Sequence, residues 1–416
     1  MRTKKTKTFG FILVALFGIV LFSISAFASD TIKIAYIAPT SGAFAAIGDQ
    51  SNKQFEFIQD YINSQGGVLG KKLEIISFDN KNAARETLFQ FDRAINQGIR
   101  IIMQCHSSGC SHALSDAIKK YNTRNPDDQA ILLVHDSTDP TLTNEKCHFM
   151  FFRWGPTADQ KVAALVKYFA ADKDIKKVFL INMDYSHGHG VSAVSRRELK
   201  KRRPDIEIVG NVFHPVGKIK DFSPYINAIK VSGADGVITG NWGTDMNMLI
   251  KGSHDAGLKV KWATLYAGVI GAPSVLREAG IGTLQVTTWH LNYNGGNNET
   301  TQKFALPFKK KYGLDFYYQD QNTQLMMLCG AIEKAKSVDP VDIAFALEGM
   351  KFKTPTGECL MRADNHQAVM PQIISVFSKD VKYDVEGTGV GWKTVMTVPS
   401  EDVYFPTTCK MERPSR

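Results

Sequence analysis

Residues 63–79 read Asn-Ser-Gln-Gly-Gly-Val-Leu-Gly-Lys-Lys-Leu-Glu-Ile-Ile-Ser-Phe-Asp, and this stretch decides the fold. It joins the end of an amphipathic helix to the start of a strand. The helix is expected over 49–63, with Phe55, Ile58, Tyr61 and Ile62 on one side. Gly66-Gly67 stops it, because glycine enters the left-handed region without a steric penalty. A strand follows at 73–78, and another precedes the helix at 32–37. Strand, helix and strand in this order make a βαβ unit, whose two strands lie parallel.

Working outward, the unit recurs. A helix at 83–97 leads to strands at 99–103 and 131–135. Beyond a turn at Asp139-Pro140, helices at 157–171, 191–201, 222–231 and 244–256 alternate with strands at 178–183, 206–212, 236–239 and 260–265. Helices return at 300–312, 323–337 and 341–349, and a strand-like, turn-rich stretch runs on from Pro355. One continuous sheet of this size is improbable on packing grounds, so the expectation is an α/β protein of two doubly wound lobes. Segments 149–153, 286–290 and 373–377 are the candidate crossings. The expected lobes are 29–152 with 291–370, and 153–290 with 371–416.

The first residues read differently. Arg2, Lys4, Lys5 and Lys7 precede an apolar run at 11–22, and Ala26-Phe27-Ala28 offers a cleavage site. This is the layout of a signal peptide over 1–28, with an apolar run too short to span a bilayer comfortably. The chain is therefore expected to be exported and cleaved near Ala28. Removing those four cations takes the net charge from +9 to about +5, a mildly basic surface. The basic residues at 196–197 and 200–203 end a helix before Pro204, where cations suit the terminus, so no nucleic-acid partner is expected. Six cysteines in an oxidising compartment allow disulfides, and their spacing leaves the pairing open. Cys329, in the apolar run 325–329, reads as a buried small hydrophobe.

Candidate site residues follow from where strands end. Residues 104–114, Gln-Cys-His-Ser-Ser-Gly-Cys-Ser-His-Ala-Leu, connect a strand to a helix whose apolar face carries Ala113, Leu114, Ala117, Ile118 and Tyr121. In open parallel sheets ligands sit beyond the carboxyl ends of strands, where helix N-termini point their N–H groups. Ser107 and Ser108 occupy that position, although a plain N-cap serine would look the same. Ser137 and Thr138 repeat the geometry after the next strand, with an Asx- or ST-type turn as the alternative. In the second half, Tyr185 and His187, Trp242 with Asp245, and Tyr266 follow successive strands, and Phe44 follows the first strand of all. Aromatic rings there give a rigid apolar wall with a polar edge. Cys105, His106, Cys110 and His112 have no standard zinc spacing, and a Cys105–Cys110 pair is the other reading of the cysteines. His187-Gly188-His189 is a weaker metal candidate. No metal or cofactor is expected.

Several runs carry a resemblance. Ile32-Lys33-Ile34-Ala35-Tyr36-Ile37-Ala38-Pro39-Thr40-Ser41-Gly42, the opening stretch through Glu74 and Asp79, Asp139-Pro140-Thr141-Leu142-Thr143, Asp184-Tyr185-Ser186-His187-Gly188 and Gly240-Asn241-Trp242-Gly243-Thr244-Asp245 occur in order over nearly the whole chain. Together they resemble the branched-chain amino-acid type of periplasmic substrate-binding protein, the soluble component of an ABC importer. The resemblance implies the type I periplasmic binding protein fold, two Rossmann-like lobes joined by three crossings and closing on a small solute. It also implies a periplasmic location, and permease and ATPase partners in the membrane; a monomer is the expected state. By the same resemblance Ser107 holds a ligand carboxylate, Ser137 and Thr138 hold its carboxylate and amino ends, and an aromatic residue near Tyr185 closes over it.

One position departs from that pattern. Amino-acid binders of the family carry a glutamate near Tyr266 that pairs with the ligand ammonium, whereas this chain has Thr264-Leu265-Tyr266-Ala267-Gly268. Asp245 is the candidate substitute; without one, a buried ammonium is left unpaired. The expected solute is thus a small carboxylate, either an amino acid or an aromatic or aliphatic acid lacking the amine. A sensory protein feeding a receptor would share this fold. An exported hydrolase or metalloprotein is the rival from another class, but no G-x-S-x-G, H-E-x-x-H or phosphate-loop motif occurs.

Overall fold

The computed structural model describes residues 31–104 and 106–414. The expected signal segment, its cleavage point near Ala28, and Cys105 lie outside the described residues.

The first βαβ unit consists of strand β1 (Ile32–Ala38), helix α1 (Ala45–Ser64) and strand β2 (Leu73–Asp79), with β1 and β2 parallel. α1 starts earlier than residue 49 and runs close over the end of β1. A Cβ on Gly48 would sit 1.8 Å from the Pro39 carbonyl oxygen, so glycine permits that approach. α2 (Ala84–Asn96), β3 (Ile101–Gln104), α3 (Ser108–Arg124), β4 (Ile131–Val134) and β5 (Phe151–Arg153) complete a parallel sheet ordered β2-β1-β3-β4-β5. Alternate residues feed its two faces. Ile34, Tyr36, Ile101 and Met103 join one core, while Ala35, Ile37 and Ile102 join another with Leu114 and Ile118 of α3. Burial on both faces is why these strands read as unbroken apolar runs.

The second lobe is built from α4 (Ala158–Phe169), β6 (Lys177–Met183), α5 (Ser186–Arg202), β7 (Glu207–His214), α6 (Ser223–Ser232), β8 (Gly236–Thr239), α7 (Gly243–Asp255), β9 (Lys261–Thr264), α8 (Ala272–Leu276) and β10 (Leu284–Thr287). α5 begins five residues before the expected 191. Of the two glycines that hide it from a propensity reading, Gly188 is there for packing: a Cβ on it would lie 1.9 Å from the Met183 carbonyl oxygen.

The chain then returns to the first lobe. α9 (Leu306–Tyr312), α10 (Gln319–Ala335), α11 (Pro340–Leu347) and the small sheet β11 (Lys351–Thr354), β12 (Gly357–Met361), β13 (Ala368–Val369) add Phe308, Leu325, Ile343 and Met361 to the first core. Finally β14 (Gln372–Ser378) and β15 (Gly391–Val398) extend the second sheet, ordered β15-β14-β10-β9-β8-β6-β7, as antiparallel strands. The chain passes between the lobes three times: after β5, after β10 and after β13. Segment 373–377, expected as a crossing, lies wholly inside β14, and 286–290 begins inside β10.

The tail differs from its expected grouping. Asp402 still pairs with Lys167 of α4 and Val403 is buried in the second lobe's core. From Phe405 on, contacts switch to the first lobe. Arg362 donates to the Phe405 carbonyl (2.6 Å), the Thr407 hydroxyl to Asn144 Oδ1 (2.9 Å), and Arg413 pairs with Glu348 (2.8 Å). Cys409 forms a disulfide with Cys147. Cys110 is a buried free thiol, and Cys329 is half-buried against the first core.

Candidate functional site

Both sheets reverse strand order at one point, β1 lying between β2 and β3 and β6 between β7 and β8. The carboxyl ends of the strands face each other across the crossings, and a cavity of about 350 Å³, mouth included, lies between them. Seven of the expected residues line it: Ser107, Ser108 and Thr138 from the first lobe, and Tyr185, His187, Trp242 and Tyr266 from the second.

The first-lobe wall depends on an unusual backbone. His106 and Ser107 both take φ near +58°, which turns the chain sharply out of β3 and starts α3 at Ser108. The Ser107 carbonyl accepts the N–H groups of Cys110 and Ser111 (both 3.1 Å), yet its side chain makes no cap bond. The hydroxyl is therefore not spent as a helix cap; it stands beside the Cys110 thiol. Ser108 Oγ accepts the Asp139 N–H (3.3 Å), leaving its own proton to donate.

Thr138 is held from behind by a residue the sequence reading missed. Arg153, fully buried at the end of β5, donates to the Ser137 and Asp139 carbonyls (2.8 and 2.7 Å) and to Gln367 Oε1 (2.6 Å). Burial pulls its guanidinium down to about 10, still charged at neutral pH. Arg153 and Gln367 also form a bridge between the first and third crossings, so the Thr138 loop is anchored at the hinge. A charged residue ending an otherwise apolar strand was the available signal.

His187 bridges the lobes. Its Nε2 lies 2.9 Å from the Gly240 carbonyl, which can only accept, so that nitrogen carries the proton. Nδ1 is then the acceptor, and the Thr138 hydroxyl donates to it at 2.5 Å. Burial holds His187 neutral by pulling its pKa to about 4, the Gly240 hydrogen bond offsetting part of this. A Cβ on Gly240 would come within 2.9 Å of that same Nε2, so the loop needs glycine there. Tyr185 accepts a hydrogen bond from the Trp242 indole (2.8 Å) and keeps its phenol proton, burial pushing its pKa up.

Three expected residues lie one layer back. Ser137 turns to Ser111 inside the first lobe. Asp245 accepts the Gly217 N–H at 2.7 Å and sits beside His214, away from the cavity. Phe44 packs against Trp242, the ring centroids 4.3 Å apart and the planes tilted by 33°, and stiffens the wall from outside. The other reactive-looking groups do not gather into one cluster: His106 lines the cavity, and His112 and His189 are not part of its lining. His106 contacts Ser51 (3.1 Å), His112 contacts Asp139 (2.8 Å), and His189 pairs with Asp184 at the surface.

Two charged residues absent from the sequence reading shape the cavity. Asp136, two residues past β4, lines it, and Lys161 in the first turn of α4 faces Asp136 at 3.6 Å and lies over the Tyr266 ring at 4.2 Å. A second chamber of about 770 Å³, mouth included, adjoins the first and shares Asp136, Tyr266, Val269 and Tyr318 with it. Lys161 left a sequence signal: its i−3 and i+4 neighbours, Ala158 and Leu165, are apolar, which puts it on the helix's apolar face.

Comparison with known proteins agrees with this architecture. Residues 31–380 match the family described as periplasmic binding protein. The chain is 31% identical over 401 residues to Leu/Ile/Val-binding protein homolog 4 of Brucella abortus, covering 93% of this chain and 94% of that one. The closed crystal structure of a leucine-, isoleucine-, valine-, threonine- and alanine-binding protein from Brucella ovis is 30% identical, with a TM-score of 0.83 over 92% of this chain and 100% of that one. An R. palustris ABC-transporter solute-binding protein in complex with 4-hydroxybenzoate shares the fold at 19% identity, with a TM-score of 0.76 over 89% of this chain and 98% of that one. With the family matched over most of its length, and with two parallel sheets meeting strand ends to strand ends, this chain belongs to the periplasmic binding proteins and has their type I fold.

Proposed function

We propose that this protein captures a small carboxylate-bearing solute between its lobes in the periplasm and delivers it to the permease and ATPase of an ABC importer. It works by shape change, without chemistry on the solute. The observation that carries this reading is a cavity walled by hydroxyl-bearing loops of one lobe and aromatic residues of the other. The Ser107 and Ser108 hydroxyls and the N-terminus of the 17-residue helix α3 offer donors to an anion. Tyr185, Trp242 and Tyr266 offer an apolar surface that closes over the rest of the solute. The hydrogen bond from Thr138 to His187 forms only when the lobes meet, so closure and capture are coupled.

The test is a thermal-shift screen of amino acids and of aromatic and aliphatic acids, followed by calorimetry on Ser107→Ala. Loss of one donor to a carboxylate is expected to cost about 1–3 kcal/mol of binding. A variant that binds as tightly as the parent removes Ser107 from the site. Stimulation of a reconstituted permease–ATPase by the loaded protein tests delivery.

A further inference from the structure

The tail makes a further passage between the lobes, beyond the three crossings, and this passage is short. Asp402 pairs with Lys167 of α4 and Val403 is buried, so the second lobe holds the chain up to residue 403. Two residues later the first lobe has taken it. Arg362 donates to the Phe405 carbonyl at 2.6 Å, and its guanidinium lies 4.1 Å from the centre of the Tyr404 ring. Arg362 is itself fixed, buried and paired through both arms with Asp364 (2.8 and 2.6 Å). Tyr404 alone spans the gap, and its backbone is already extended, with φ −87° and ψ 105°. Pro406 favours an extended Phe405 as well, because its ring crowds the helical region of the residue before it. Two extended residues reach at most about 7 Å, so stretching the chain between Val403 and Phe405 cannot separate these anchors further.

Beyond Phe405 the first lobe's hold continues and ends in a covalent bond. Thr407 donates to Asn144 Oδ1 (2.9 Å), Thr408 to Glu145 Oε1 (3.0 Å), and Cys409 is bonded to Cys147. Phe405 and Pro406 line a groove together with Pro140 and Asn144 of the first lobe and Ser186 and Gly190 of the second. This groove is a seam between the lobes. A Cβ on Gly190 would lie 3.7 Å from Pro140 Cδ, and the nearby Thr138–His187 hydrogen bond closes the cavity. The seam widens when the lobes part, and the tail lies across it. Peeling the hydrogen-bonded residues off the first lobe gives slack only as far as Cys409, about 21 Å from Val403 at full stretch.

We propose that residues 404–409 form a strap that limits how far the lobes open, anchored by Val403 on one lobe and by the Cys147–Cys409 disulfide on the other. The strap is taut in the closed protein, and its reserve of length lies in the polar contacts from Phe405 to Thr408. It acts on lobe motion alone and holds for any solute the cavity takes. The ligand-free protein therefore opens less widely than the three crossings alone permit.

The experiment is small-angle scattering of the dialysed, ligand-free protein. Inserting Gly-Ser-Gly-Ser between Tyr404 and Phe405 adds about 14 Å of reach and keeps the disulfide and both anchors. The same four residues inserted between Cys409 and Lys410 lie outside the strap and serve as the control. The lengthened strap is expected to raise the radius of gyration and the maximum dimension above the parent's. The control insertion is expected to leave both at the parent's values. Should the first variant misfold by circular dichroism, the same insertion between Val403 and Tyr404 takes its place. A lengthened strap that scatters as the parent does, or a control that expands as much as the lengthened strap, overturns the proposal.

Discussion

The disulfide between Cys147 and Cys409 offers a sharp quantitative test, because it closes a loop of 262 residues and fastens the tail across both lobes. Treating the bridge as a constraint on the unfolded chain, the loop-closure relation gives about 5.6 kcal/mol at 25 °C for that separation. This is a ceiling. Native bridges removed from small secreted domains cost about 2–5 kcal/mol. Here the reduced chain can also release residues 405–414 at modest cost, since their contacts are largely polar, such as Thr407 with Asn144 and Arg413 with Glu348, with Met411 packing from outside on the first core. The expected loss for Cys409→Ser is therefore about 2–4 kcal/mol, measured as a lower urea midpoint with and without reductant. Reductant should act on the parent and leave Cys409→Ser unchanged. A change in unfolding free energy of less than about 0.5 kcal/mol in both experiments refutes the idea that the bridge spans a structurally committed tail. Because Asp402 and Val403 are anchored on the second lobe, the same substitution should widen the opening of the ligand-free protein in small-angle scattering.

Thr138→Val removes the proton given to His187 Nδ1 and leaves a buried nitrogen unpaired in the closed form. Ligand affinity should fall by about 1–3 kcal/mol, roughly 5- to 150-fold in Kd, and a calorimetric change below twofold would falsify the bridging role. Stability should also fall as pH drops from 7 to 5. Burial holds His106 and His187 at about 4 and His148 and His290 at about 3, below the 6.5 of an unfolded histidine. Their contribution is complete above 6.5 and is lost as the unfolded chain takes up protons, at about 1.4 kcal/mol per histidine per pH unit until the folded values are reached. Asp320, raised by burial to about 7 despite the Thr288 hydrogen bond, works in the opposite direction but is outnumbered. A melting temperature at pH 5 equal to that at pH 7 contradicts this sign.

The lobes were legible because their signals are local. Apolar strands, amphipathic helices and stops such as Gly66-Gly67 each declare themselves within a dozen residues, and βαβ handedness does the rest. The candidate cavity was legible for a related reason: parallel strands deliver all their carboxyl ends to one side, so Ser107, Thr138, Tyr185, Trp242 and Tyr266 come to line one cavity. What escaped is non-local. The antiparallel pairing of β10 with β14, the tail's return to the first lobe, and the turning of Asp245 toward Gly217 are set by partners far away in sequence.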